Sequence, residues 1–239
     1  MANDYDDIET QLRAVIKADS TIVALLGKRL FATDLTVNGT LTDIATSLPY
    51  LGSDTIAVND ILRIEDEFVL VTALTGGGTP ATVTRGHDVS FGNHTFNTSP
   101  TAHSDTTIIG LYDPSVDDES GYDIFEYKDS EVPVITLACE SKLPDIYPTM
   151  GSFEGQFDTF VEIIAFGSNQ KAARLEAKNV MTEFERIIRA EKNKNQPLNA
   201  IAHDIDMLGV TTMRVPHPGG NMFAVTMYTH IIVSILSTT

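Results

Sequence analysis

The run Ile61-Leu62-Arg63-Ile64-Glu65-Asp66-Glu67-Phe68-Val69-Leu70-Val71 carries the deciding pattern of this chain, and Val83-Thr84-Arg85-Gly86-His87-Asp88 follows it closely. Apolar and β-branched residues on both sides of an acidic turn predict a hairpin. The block around it, from about Leu35 to Leu111, is rich in Thr, Gly and Asp. Short strands are expected at Thr55–Val58, Ile61–Ile64, Phe68–Leu74, Ala81–Thr84 and Thr106–Leu111, separated by Gly, Asn and Asp turns. Glu65, Asp66 and Glu67 are read as turn carboxylates. Gly76-Gly77-Gly78-Thr79 lacks the Gly-Lys-Ser/Thr that completes a phosphate loop and is read as a hairpin turn.

The flanking sequence has a different character. Ile8, Leu12, Val15, Ile16, Val23, Leu25 and Leu26 recur at helical spacing, with Asp6 and Asp7 suited to a helix start and Gly27 to its end. After the block, Val132–Ala138 and Phe157–Phe166 read as strands. Gln170–Glu191 reads as a long amphipathic helix with Ala173, Ala177, Val180, Met181, Phe184, Ile187 and Ile188 on its apolar face and Ser168 as its cap. Two more strands are expected, near Ile205–Val215 and Met222–Leu236. The last would place Val225, Met227, Ile231 and Val233 on one face, and Thr226, Tyr228 and His230 on a half-polar one. It is longer than an ordinary strand, and an extension beyond its own sheet is expected to meet a neighbouring subunit. The fold class expected is therefore α+β: an antiparallel sheet packed against helices, with a small all-β domain at 35–112 inserted between host segments 1–34 and 113–239.

Charge divides the 239 residues unevenly: 27 acidic and 8 basic side chains precede residue 168, and 6 acidic and 8 basic follow. The net charge of -17 argues against a conventional nucleic-acid binder, because phosphate affinity needs clustered Lys and Arg. Residues 113–131 hold eight acids against Lys128 alone and read as a solvated connector or a negatively charged strip. The lone cysteine, Cys139, follows an apolar run and is read as a buried thiol in a reducing compartment. No basic and apolar leader opens the sequence, no run reaches the ~20 apolar residues of a membrane span, and a soluble protein is expected.

Catalytic patterns are sparse. His87, His94 and His103 match no zinc spacing, and His203-Asp204-Ile205-Asp206 reads as ordinary alternation at a strand entry. Cys139 has no adjacent base, and no Gly-x-Ser-x-Gly elbow occurs. No catalytic, metal or cofactor-binding residue is nominated.

The helix pattern of Asp7–Phe31, the strand and helix of Phe157–Ile188 and the closing run Met222–Leu236 resemble the tail-terminator or tail-completion proteins of tailed bacteriophages. Separately, Ile64-Glu65-Asp66-Glu67-Phe68-Val69-Leu70-Val71 with Val83-Thr84-Arg85-Gly86 resembles a small β-module of phage virion proteins, "I-x-x-E-x-x-x-V" followed by "V-x-R-G". That module usually continues with Gly-Thr and a His-Gly pair; here His87-Asp88-Val89-Ser90 follows Gly86, and His103 precedes Ser104.

The resemblance implies a non-enzymatic structural protein without cofactor, in the tail or neck of a virion and made in the host bacterial cytoplasm. Its copies would form a ring, as a rule hexameric, that caps the tail tube and receives the head connector or neck protein, with the tail sheath a further neighbour. DNA would pass through without specific binding, and no membrane is involved. On this reading Lys171, Arg174, Lys178 and Arg189, with Tyr228 and His230, are expected at the subunit interface. Asp113, Asp117, Asp118, Glu119, Asp123 and Glu126 are expected to face the channel or an adjoining ring. Another neck or baseplate component, or a carbohydrate-binding decoration, are the alternatives; the second is disfavoured by the absence of Trp, since sugar sites stack on exposed aromatics. An enzyme is the remaining one.

Overall fold

The computed structural model describes residues 5–75, 79–91, 94–118, 131–149, 152–216 and 223–238. The chain is α+β and divides into two compact units, one formed by Met1–Gly27 with Pro114–Thr239 and the other by Lys28–Asp113.

In the first unit, the expected single N-terminal helix is two: α1 (Tyr5–Ala18) and α2 (Ser20–Val23). The break falls at Asp19, whose carboxylate accepts from the N–H groups of Thr21 and Ile22 and so caps the second helix. Gly27 does not act as a helix cap in the left-handed region. A Cβ there would lie 2.3 Å from the carbonyl carbon of Glu131, and its N–H donates to Pro133, so glycine is required by close backbone approach.

The sheet of this unit runs β10 (Val116–Asp118), β11 (Val134–Thr149), β12 (Ser152–Gly167), β15 (Phe223–Thr238) and β13 (Asp204–Met207), with β14 (Thr211–Pro216) also pairing with β15. Strands β11, β12 and β15 each have 16 residues. Strand β15 pairs with β12 over its full length and takes β13 and β14 on its other side, so it is an interior strand that does not outrun its sheet. The single strand expected near Ile205–Val215 is two separate edge strands on one partner. The start of the 113–131 connector is itself structured, since β10 pairs in parallel with Ile135–Leu137.

Helix α3 (Gln170–Lys192) follows its expected bounds, but its cap is Asn169, whose side chain accepts from the Ala172 N–H; Ser168 does not cap it. It packs on β12 and β15, while α1 packs on β11. Ile8, Leu12 and Ile16 from α1, Phe184 and Ile188 from α3, and Leu137, Val161, Ile163, Ile231 and Val233 from the sheet form one core. Each fully buried aliphatic side chain stabilises it by roughly 1.5–3 kcal/mol. The alternation expected for the last strand is present, with Val225, Met227, Ile231 and Val233 on the helix side. A smaller cluster of Val132, Val134, Ile164, Phe166 and Ala224 occupies the opposite face.

The second unit is a seven-stranded sheet ordered β2 (Ser47–Leu48), β6 (Ala81–Thr84), β5 (Glu67–Leu74), β4 (Ile61–Ile64), β9 (Ile108–Pro114), β1 (Lys28–Val37) and β3 (Tyr50–Leu51). A hairpin of β7 (Val89–Phe91) and β8 (His94–Phe96) accompanies it. The unit starts at Lys28, earlier than Leu35, because β1 is one continuous strand reaching back to that residue. Thr55–Val58 is not a strand; it leads into a turn where Asp60 accepts from the Ala57 N–H. Gly76–Gly78 lies outside the described residues. Among the described residues no helix is long and apolar enough to cross a membrane.

Candidate subunit interface and the buried Glu67 centre

Helix geometry places Lys171, Arg174, Lys178, Glu185, Arg189 and Lys192 within an arc of about 60° on α3. This stripe runs beside the strands at the sheet edge, and the structure separates its two ends. Toward the C-terminus the cations are neutralised locally. Arg189 Nη2 lies 3.5 Å from Glu185, and Lys192 bonds Asp206 of β13. Toward the N-terminus, Lys171 and Arg174 line a cleft with Gln170, Thr212, Arg214 and Val225. Among the described residues Lys171, Arg174, Lys178 and Arg214 form no ion pair. The four expected interface cations therefore fall into an open group and one paired member, Arg189.

The sequence pattern does not single out Arg214 and Thr212. Their orientation follows from register: Thr212 opposes Met227 and Arg214 opposes Val225, both on the helix side of β15. No local signal in Thr211–Pro216 specifies that pairing.

Tyr228 and His230 lie on the other face of the sheet, away from this cleft. Phe160 sits directly opposite His230, with ring centroids 5.4 Å apart in an edge-on arrangement, and 5.8 Å from the ring of Tyr228. His230 Nδ1 is 2.9 Å from Asp158 Oδ1. The structure thus does not bring Tyr228 and His230 together with the α3 cations.

The acidic strip is only partly described. Asp113 is the penultimate residue of β9 and is half-buried, not part of an open strip. Its charge acts on Lys28 and Asp60: burial pushes the Lys28 ammonium down while Asp113 opposes that shift, and burial pushes the Asp60 carboxyl up. Asp117 and Asp118 belong to β10 by backbone, their side chains lying outside the described residues, as do Glu119, Asp123 and Glu126 altogether.

The most elaborate polar arrangement lies in the second unit, where the sequence suggested only a turn. Glu67 is buried at the start of β5. Its two oxygens accept from Arg85 Nε and Nη2, each at 2.7 Å, from the Gly86 N–H at 2.8 Å and from the Thr101 N–H at 3.0 Å. His103 Nε2 lies 2.8 Å from Glu67, and its Nδ1 lies 3.0 Å from Glu65. Arg85 also donates to the carbonyls of Thr42 and Thr101. Burial raises the Glu67 carboxyl, but these donors outweigh it and hold it at about 2.

Gly86 explains the glycine after the arginine. Its φ is +55°, and a Cβ would sit 2.4 Å from Pro100 Cδ. The residues shared with the "I-x-x-E-x-x-x-V" and "V-x-R-G" pattern thus form one closed centre joining segments 41–42, 65–67, 85–86 and 101–103. The Glu67 and His103 side chains are fully buried, whereas Glu65 at the margin of the centre is exposed. The hydrogen bonds of the centre tie together four segments that are distant in sequence.

Cys139 is half-buried, and burial, reinforced by the charges of Glu9 and Asp158, pushes its thiol up to about 11. Among the described residues no group of three His, Cys, Asp or Glu is arranged to hold a metal. The chain matches no protein-family model and no curated protein sequence.

Proposed function

We propose that this chain is a structural virion protein of a tailed bacteriophage, a tail terminator whose copies close into a ring that caps the tail tube and joins it to the head connector. The order α1, β11, β12, α3, β15 in one unit, and the Glu67, Arg85 and Gly86 centre in the other, support the resemblance drawn from sequence. We read Lys28–Asp113 as an all-β domain inserted into the α+β host.

The observation that carries the proposal is the segregation of charge. A chain of net charge -17 keeps Lys171, Arg174, Lys178 and Arg214 together and free of ion pairs among its described residues. A ring built head to tail needs two different, complementary surfaces on each subunit. A cationic patch on an otherwise acidic protein supplies that asymmetry, and the acidic remainder suits a conduit through which DNA passes without being held.

Negative-stain images and native mass spectrometry of the purified chain test this reading. Closed rings with a central opening, weakened by raised salt, are expected. A single copy at every concentration examined would overturn it.

A further inference from the structure

We infer that the cleft between the first turns of α3 and strand β14 is a socket for carboxylates of a second copy, supplied by the acidic run of residues 113–131. This rests on the ring reading above and names the two surfaces that would meet.

Three cations from two separate elements, Lys171 and Arg174 on the helix and Arg214 on the strand, converge on a cleft of about 420 Å³. Thr212 and Gln170 add polar groups, and Val225 supplies an apolar wall. Farther along the same groove, beside β13, a second depression contains Arg189 and Lys192, but Glu185 and Asp206 answer those charges from within the chain. Among the described residues, the β14 end of this groove is the one whose cations form no ion pair. Like charges held together in one cleft repel, and an acidic partner relieves that repulsion.

The occupant follows from complementarity. Residues 113–131 hold eight carboxylates against one lysine; Asp113 is half-buried and Glu131 buried, which leaves six, from Asp117 to Asp129, to enter the socket. Every added copy brings both the socket and the run, so each interface repeats the last, as a head-to-tail ring demands. Nucleic acid is the poorer fit, because three cations set against a net charge of -17 give little counterion release and strong long-range repulsion.

The test uses the full chain with three partners in parallel. Sedimentation velocity compares wild type with Arg174→Glu/Arg214→Glu, and the latter mixed with Asp117→Lys/Asp118→Lys. Anisotropy measures binding of a fluorescent peptide spanning residues 113–131, and of a fluorescent DNA duplex. Circular dichroism confirms that each variant is folded, with Lys171→Gln/Arg214→Gln replacing the reversal if it is not. The socket reading expects assembly or peptide affinity to fall by about tenfold or more in the reversed variant, and mixed assembly to return when the two charge-swapped chains meet. Wild-type rings that persist unchanged in both socket variants overturn the socket and leave the ring. A monomeric wild type whose peptide binding is lost in the variant overturns the ring and upholds the socket. A chain that binds neither copy nor peptide, or binds the duplex more tightly than the peptide, overturns the socket.

Discussion

Arg85 and Glu67 meet through two parallel contacts of 2.7 Å, Nε to one carboxylate oxygen and Nη2 to the other, with both side chains almost wholly withdrawn from solvent. A planar guanidinium matches a carboxylate in this way, which an ammonium does not. Removing one partner leaves a charge buried without its counterpart. Arg85→Met is expected to destabilise the chain by about 3–5 kcal/mol, and Glu67→Gln/Arg85→Met by less than the single change. Calorimetric unfolding of these two variants and of Glu67→Gln alone decides this; a double variant as unstable as the sum of the two single changes would show that the residues act separately.

Because Glu67 is held at about 2, below the ordinary 4.5, its contribution to stability has a definite sign with pH. The folded form binds the Glu67 proton less readily than the unfolded form. The stabilisation is therefore complete above the ordinary carboxylate range and is lost as pH falls from about 4.5 through about 2. Urea midpoints between pH 7 and pH 2 should fall more steeply for wild type than for Glu67→Gln. Parallel curves would remove Glu67 as a source of the acid sensitivity.

Gly86→Ala combines a left-handed backbone with a collision at Pro100 and is expected to cost about 1–3 kcal/mol. Gly209→Ala serves as the control, since a Cβ there meets open space. If the two variants melt together, close approach at Gly86 is not what selects glycine.

The Cys139 thiol, raised by burial to about 11, should react slowly in the folded chain. At pH 8 its modification by a disulfide reagent is expected to be about a hundredfold slower than in urea, following the smaller thiolate fraction. Equal rates in both states would place the thiol in open solvent.

How much of this was legible from sequence varied by element. Helix α3 was, because its seven apolar residues recur on one face and nearly the whole element obeys that period. Strand β11 was legible only to Ala138. Beyond it lie Glu140, Lys142, Pro144, Asp145 and Pro148, which interrupt the apolar pattern. The strand continues because β12 supplies hydrogen-bond partners, and its register slips between Leu143 and Ile146 and again between Ile146 and Thr149, the two intervals that contain the prolines. Glu67 has the sequence signature of a third turn carboxylate, because its burial depends on Arg85 and His103, which the hairpin alone does not reveal. Lys171 and Arg174 were legible as an exposed cationic face, whereas Arg214 joined them only through the pairing of β14 with β15.

The amino-acid sequence alone determined where helices and strands begin to form and which of their faces are apolar, because backbone geometry turns a spacing of two or three to four residues into a face within one element. Tertiary structure decided which charges find partners. Arg85 reaches Glu67 across 18 residues and His103 reaches it across 36, while Arg189 is answered within its own helix and Lys171, Arg174 and Arg214 find no ion-pair partner among the described residues. Such pairings depend on the folded path of several segments at once, and no local period records that path.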